Sequence, residues 1–521
     1  MRPDYQKNEP IVSVLIPTFN RLKYFPKALA SVLNQSYGNL QVIVINDGGQ
    51  DVSDIVDSFY DSRIVFINRR ENFGKAHSLN EALERAEGKY VAYLDDDDIF
   101  YPYHIETLVE TLENRTDCMA AYSDLYKVYC KVSQDGSRLV LSKTVEVSRD
   151  YDRFFMLHFN HVLHVSLMHR RDLLDKTGPY NEDLNVLIDW DMTRRLAFFT
   201  DFYHVYKITG EYYHPMGESD RISVQQRKNK LNYAKNVLTI RNTRPRKPWP
   251  KVKDLSIIFL TDSLNKEAGQ TINAVWQNSF YPYKLYLPMS QMECDRFNTD
   301  MPNIVPVPVN SISTEIEKID TVLNICEGEY IAFLPAGYPV TERWVENSLY
   351  ALINNDQSGK GYLLEKSNDE QFAAVLKKED IYKARSRFPY LSLIDSLKSS
   401  GIEFRKPEFE ELPLQFDNML QHAFNVQNEN DWMQAAHIYE YIAENYKNEL
   451  WMKSFAANAL YKAGNKQLAA CICEEINQQR PTVNTLLLEA KVRREEKKYD
   501  EAIELLKMAE RTIEGTEYLW T

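Results

Sequence analysis

Short apolar runs alternate with helix-period segments along the first hundred residues. Ile11-Val-Ser-Val-Leu-Ile16 is β-branched and closed by Pro17-Thr18-Phe19-Asn20, the pattern of a buried strand running into a loop. Phe25, Leu29, Val32 and Leu33 keep helical spacing, and Leu40-Gln-Val-Ile-Val-Ile45 then predicts a second strand stopping at Asn46-Asp47-Gly48-Gly49. The cycle repeats with Ile64-Val-Phe-Ile67, a helix over about 75–86, and Tyr90-Val-Ala-Tyr-Leu94. Strands alternating with helices predict an α/β domain with a mostly parallel sheet, in which ligands bind at the carboxyl ends of the strands. Those ends place Thr18, Asp47 and the run Asp95-Asp96-Asp97-Asp98 in the frame.

The apolar pattern then starts again. Leu255-Ser-Ile-Ile-Phe-Leu-Thr261 matches Val12-Ser-Val-Leu-Ile-Pro-Thr18, and Ala274–Phe280 matches Ser31–Tyr37, both at an offset of 243 residues. Gly328-Glu-Tyr-Ile-Ala-Phe-Leu334 matches Gly88–Leu94 at an offset of 240. A duplicated domain follows, with Pro335-Ala-Gly-Tyr338 where the first copy has four aspartates and Ser290 in place of Asp47. Carboxylates serving only the framework would persist with it, so their loss assigns chemistry to the first copy. Between the copies, residues 241–253 hold three prolines and six basic residues and read as a stiff linker or strap. In the last hundred residues Ala435, Ala469 and Ala502 recur at intervals of 34 and 33, each opening a helix-like segment.

Composition sharpens this picture at three points. The chain has 521 residues, 62 basic and 75 acidic, for a net charge of −13. Such a chain offers no long-range attraction to nucleic acid or to an anionic membrane, so an anionic ligand needs a local device. Six scattered cysteines make no zinc-type cluster and read as reduced thiols, and no apolar run of membrane-spanning length occurs. A cytoplasmic protein without a transmembrane segment is expected.

Pro17-Thr-Phe-Asn-Arg21, Ile45-Asn-Asp-Gly-Gly-Gln-Asp51, Asn72-Phe-Gly-Lys75, Gly88–Asp98, Gly178-Pro-Tyr180 and Ile188-Asp-Trp-Asp191 occur in that order over about 200 residues. Together they resemble family 2 glycosyltransferases of the GT-A fold, and residues 416–513 resemble tetratricopeptide (TPR) repeats. The resemblance implies a GT-A, Rossmann-like domain over 1–245, a linker over 246–254, a degenerate GT-A-like α/β domain without DxD over 255–412, and an all-α TPR solenoid over 416–521.

It also implies a metal-dependent inverting transfer from a nucleotide-sugar donor, a UDP-sugar in the first instance, to a hydroxyl acceptor. By resemblance Asp97 binds a divalent cation, Mn²⁺ or Mg²⁺, completed by His214, and Asp95 or Asp96 meets the ribose and metal-bound waters. Extended backbone at 95–98 would turn Asp95 and Asp97 to one face. Pro17, Thr18, Arg21 and Asp47 line the nucleotide, and Lys75, at a helix amino end, reaches nucleotide or diphosphate; Leu79 stands where many relatives carry arginine. Asp189 is the expected base, with Asp191 the better-placed helix cap. His161 and His164 would line the acceptor pocket, and a loop over 217–223 with Arg221 would close over the donor.

The acceptor implied by the combination of domains is a protein, such as bacterial flagellin or another surface protein, or else a glycan in surface-polysaccharide assembly. The TPR repeats would bind a protein partner, mediate self-association or fold back on the catalytic domain. Two rival readings are a polymerase with two active sites, against which Pro335–Tyr338 weighs, and a non-catalytic TPR scaffold that binds nucleotide sugar.

Overall fold

The computed structural model of the chain describes residues 9–133, 135–144, 150–215, 230–261, 263–299, 301–354, 359–364, 367, 372–406, 414–445, 450–479 and 481–513. It divides into two compact units. One comprises Met1–Met156, Asn160–Asn236 and Phe416–Thr521; the other comprises Leu157–Phe159 and Val237–Gln415.

The first unit is built on a nine-stranded sheet. Its strands are β1 (Val12–Thr18), β2 (Leu40–Asn46), β3 (Ile64–Asn68), β4 (Tyr90–Tyr93), β5 (Ile99–Phe100), β6 (Ala120–Val132), β7 (Arg138–Thr144), β8 (Leu167–Arg170) and β9 (Phe202–Pro215). They run in the order β3-β2-β1-β4-β8-β6-β9-β5, with β7 beside β6. β1 to β4 are mutually parallel, β6 and β9 share their direction, and β5, β7 and β8 oppose it. The apolar runs occupy β1, β2 and β4 because these strands are covered on both faces, where alternation gives way to continuous hydrophobicity. Phe25, Leu29 and Val32 of the helix Phe25–Leu33 pack onto Val14, Ile16 and Val42 in one core.

In the second unit, β10 (Leu255–Leu260), β11 (Tyr283–Ser290), β12 (Ile304–Val309), β13 (Tyr330–Pro335), β14 (Lys360–Leu363), β15 (Ala374–Lys377) and β16 (Glu403–Arg405) form a sheet of order β12-β11-β10-β13-β15-β14-β16. Its first five strands repeat the order β3-β2-β1-β4-β8. The ladder register repeats too. Val12 pairs with Leu40 and Tyr90, and Val42 with Ile64. Leu255 pairs with Tyr283 and Tyr330, and Leu285 with Ile304. Hydrogen-bond register therefore sets Thr261 in the place of Thr18, Ser290 in that of Asp47, Val309 in that of Arg69 and Pro335 in that of Asp95. The basic segment ahead of β10 belongs to this unit, Lys247 Nζ bridging Asp254 and, at 2.8 Å, Glu327.

Six helices between Leu414 and Ile513 follow. The periodic alanines Ala435, Ala469 and Ala502 are all buried, as small residues at helix crossings must be. These helices group with the first sheet, and Val483 packs with Tyr101, Tyr126 and Val128. No described helix is long and apolar enough to cross a membrane.

Candidate active site

The parallel register of β1, β2, β3 and β4 brings their carboxyl ends side by side, and the loops leaving those ends carry the chemistry. At the end of β1, Thr18 holds a buried hydroxyl with no hydrogen-bond partner among the described residues, while Pro17 pairs with Ile45. Asp47, at the end of β2, is 4% exposed. Its Oδ1 accepts from Arg69 Nη1 at 2.9 Å and Phe73 N at 3.0 Å, and its Oδ2 from Gly74 N at 2.8 Å. Asp47 therefore fixes the entrance of the helix Lys75–Arg85 and, through it, the placement of Lys75. The close approach beneath this loop requires Gly48, with φ of +71°: a Cβ there would lie 2.2 Å from the Glu71 carbonyl carbon.

Arg69 immediately follows β3 and is a strand-end residue that sequence reasoning passes over. Beyond Asp47 it holds Glu81 and, at 3.0 Å, Ser78 Oγ. A basic group thus reaches this edge from β3, while Leu79 is fully buried.

The run Asp95–Asp98 is not extended. Asp98 N donates to Asp95 O at 3.1 Å, closing a turn, and the four side chains diverge. Adjacent carboxylates repel, and aspartate is at home in turns, so each takes a separate partner. Asp95 Oδ1 pairs with Lys75 Nζ at 2.5 Å. Asp96 Oδ2 accepts from Phe19 N at 3.2 Å. Asp97 Oδ2 accepts from Arg138 Nη2 at 3.0 Å, and Asp98 Oδ1 from Tyr213 N at 2.8 Å. Burial, then Asp97 and Asp95, push the Asp96 carboxyl up to about 7, more than the Thr18 hydroxyl and Arg21 draw it down. Burial opposes a charge on Lys75, but Asp95, with Asp189 and Asp96 behind it, holds its amine above the usual lysine value.

Arg138, on β7, is the second residue no sequence signal announced. Its guanidinium lies 3.8 Å from the ring centre of Tyr24 and 4.4 Å from that of Tyr213, and Nη1 also reaches Asp97 O at 2.6 Å. Two basic side chains, Lys75 and Arg138, thus neutralise Asp95 and Asp97.

Asp189 stands in the first turn of the helix Ile188–Leu196, behind Leu187 in the left-handed region. Its Oδ2 accepts from Asn160 Nδ2 at 3.1 Å. Burial raises its carboxyl above the ordinary value against the pull of Lys75, and Asp95 adds to the rise. Lys75 thereby acts on both aspartates, by an ion pair on Asp95 and by its charge on Asp189. Asp191 is not the cap the sequence suggested. It is 1% exposed and forms a two-pronged ion pair with Arg195 at 2.6 and 3.0 Å, and Arg195 also holds the carbonyls of Thr177 and Gly178. Tyr180, which closes the Gly178-Pro-Tyr motif, exchanges hydrogen bonds with Asn80 and so clasps the Lys75 helix.

Behind this site lies a buried histidine cluster. His164 stacks on Tyr93 at 4.0 Å and meets Tyr180 Oη at 2.8 Å. His169 Nδ1 faces the Arg170 carbonyl at 2.8 Å, which fixes it as a donor, so Nε2 accepts from Tyr93 Oη at 2.7 Å. Burial lowers these rings to about 3 and about 4, from 6.5. A folded value below the unfolded one means that the unfolded chain binds more protons, so stability is full above about 6.5 and falls as pH drops through that window. Denaturant unfolding followed from pH 7.5 to 4.5 should lose about 1.4 kcal/mol per pH unit for each histidine once below 6.5. Stability constant between pH 6.5 and 5 would contradict this. His161 is 6% exposed and packs against Tyr151 and Phe155.

The structure does not gather His214 with Asp97. His214 pairs across the sheet with Tyr129, its ring 5.3 Å away, and strand alternation turns it to the face opposite Tyr213, which stacks on Arg138. Among the described residues no three His, Cys, Asp or Glu side chains converge as a metal site. The donor type of the turn is that of a hard divalent cation, with its carboxylates spread over separate partners. Its donors are all oxygens, and magnesium is commonly held by one or two carboxylates with phosphate and water completing the shell. The loop over 217–223 and Arg221 lie outside the described residues.

Residues 13–171 match the family model described as glycosyl transferase family 2. An uncharacterized glycosyltransferase of Rickettsia prowazekii is 30% identical over 198 residues, covering 35% of this chain and 57% of that protein. One of Haemophilus influenzae is 40% identical over 122 residues, covering 23% of this chain and 38% of that one. The chain thus spans only about two fifths to three fifths of these relatives' own lengths. The crystal structure of S. aureus TarS 1–349 aligns over 44% of this chain and 64% of that one, at 17% identity and a TM-score of 0.34. The part of the chain similar to glycosyl transferase family 2 thus runs from β1 through the Asp95–Asp98 turn to the end of β8.

Proposed function

We propose that this chain transfers a sugar from a nucleotide-sugar donor to an acceptor hydroxyl, with inversion, using the carboxyl ends of β1 to β4 as the donor site. The observation that carries the proposal is the convergence of Lys75, Asp95 and Asp189, joined by one ion pair and by the field of Lys75 on both aspartates. Pro17, Thr18, Arg21 and Asp47 border the nucleotide, with the buried Thr18 hydroxyl beside Asp96. Asp97 would hold a Mg²⁺ or Mn²⁺ ion, with Asp95 or Asp96 on the ribose and the metal-bound waters, and the charge of the ion would offset that of the diphosphate leaving group. Lys75 and Arg138 add positive charge on either side of the turn. Asp189, its basicity raised by burial, takes the proton of the acceptor hydroxyl as that oxygen attacks the anomeric carbon, and Asn160 orients the carboxylate.

The second unit is, in this reading, a degenerate copy that keeps the sheet and has lost the carboxylates. The helices from Leu414 onward are TPR-like, which supports a protein as acceptor or partner. Thermal unfolding with a panel of nucleotide sugars tests the donor site. One of them, added with Mn²⁺, should raise the midpoint by several degrees, as saturating ligand at about 100 times Kd adds about 2.7 kcal/mol. A panel without any metal-dependent shift would count against the proposal. Transfer to protein and to free-glycan acceptors, compared side by side, decides between the two acceptor classes.

A further inference from the structure

The second sheet has lost its carboxylates but not its cavity. A cavity of about 360 Å³ lies at the carboxyl ends of β10, β11 and β12, the ends that correspond by register to those of β1, β2 and β3. That volume is within the range of small-molecule sites. Its apolar wall is Pro288, Met289 and Leu264; Thr261 and Ser290 stand at the strand ends. Two cations line it, Arg296 and Lys318, the latter with Nζ 3.5 Å from Thr261 O.

Among the described residues of the lining the one carboxylate, Glu293, is engaged within the chain. It accepts from Ser290 N at 2.8 Å and Ser290 Oγ at 2.7 Å, and these bonds, helped by Lys318, keep its carboxyl low. The substitutions around the cavity are coupled. Where the first sheet pairs Asp47 with Arg69, the second has Ser290 and Val309, so acid and base were lost together; the place of the aspartate turn is taken by Pro335-Ala-Gly-Tyr338, which offers no carboxylate to a metal. An anion entering this cavity meets Arg296 and Lys318 directly.

We propose that the second unit binds a nucleoside phosphate at the ends of β10 to β12 without a metal ion, its planar base against Pro288 and Met289 and its phosphate on Arg296 and Lys318. This site is separate from the donor site and does not depend on the transfer reaction. Calorimetric titration of the full chain with UMP, AMP and GMP in excess EDTA tests it. The expected result is saturable binding of at least one of them near one equivalent, unchanged in D97A and weakened about tenfold or more in the double variant Arg296→Glu, Lys318→Glu. These two side chains are at least partly exposed, and an unchanged unfolding midpoint for the double variant shows that the fold is intact. No binding of any of the three in EDTA would overturn the proposal. So would binding lost in D97A, or retained in the double variant. Inorganic phosphate binding as tightly as the nucleotide would overturn the part assigned to the base.

Discussion

Asp189→Asn should lower the rate of sugar transfer by about two to four orders of magnitude while leaving donor affinity within about twofold of the parent chain. Proton transfer from a positioned side chain is worth that range, and asparagine preserves shape and hydrogen bonding while removing the base. The rival reading is that Asp189 serves its own helix, since the amide groups of the first turn also stabilise its carboxylate. A capping role is worth about 0.5–2 kcal/mol of stability and nothing in turnover. The two readings separate on a pair of measurements, the unfolding midpoint and the single-turnover rate at saturating donor. A large loss in rate with a small change in midpoint supports the base; the reverse supports the cap. Because burial holds the Asp189 carboxyl above the ordinary value, the acid limb of the rate profile should lie above the usual carboxylate range and should vanish from the residual activity of the variant.

The second large effect belongs to the turn. Asp97→Ala should cost about 10²–10³ in turnover, the usual loss when one fixed element of transition-state charge stabilisation is removed, and should abolish the response to Mg²⁺ or Mn²⁺. It also leaves the guanidinium of Arg138 without its carboxylate, held by Tyr24, Tyr213 and the Asp97 carbonyl. Arg138→Ala separates these contributions. If Asp97 acts through a bound cation, R138A keeps its metal response, whereas the pair D97A and R138A failing alike, with metal response lost in both, would show that the ion pair itself is what matters. Metal titration of transfer in the three chains gives the answer.

The strands were legible because burial on both faces writes a continuous apolar run, as in Ile11–Ile16 and Leu40–Ile45, and a strand end can be read from the polar residues that close it. The duplication was legible for the same reason, and the ladder registers reproduce the offsets of 243 and 240 that the apolar framework shows. Thr18, Asp47, Lys75, Asp95 and Asp96 accordingly sit at the edge the sequence pointed to. What the sequence hid is the direction of side chains and the identity of long-range partners. Four consecutive aspartates give no sign of whether they extend or turn; the Asp98 to Asp95 hydrogen bond and partners drawn from four different segments decide it. Arg138 comes from a hairpin 41 residues away from Asp97, and Asn160 from a loop 29 residues away from Asp189, distances over which local pattern carries no signal. Arg69 was within reach, since it ends β3 as Asp47 ends β2. Partners and strand alternation also decide where Asp191 and His214 lie. Asp191 had a stronger partner in Arg195, and His214 faces away because alternation along β9 gives the other side to Tyr213.

The most direct test that the ends of β1 to β4 and Asp189 form one transfer site is product analysis by NMR after incubation of the chain with Mn²⁺, the nucleotide sugar that stabilises it and the protein or glycan acceptor that takes the sugar in the side-by-side assay. Release of nucleoside diphosphate with the anomeric configuration of the transferred sugar inverted is expected, with both signals lost in Asp189→Asn. Transfer with retained configuration, or undiminished transfer by the Asp189→Asn chain, would contradict it.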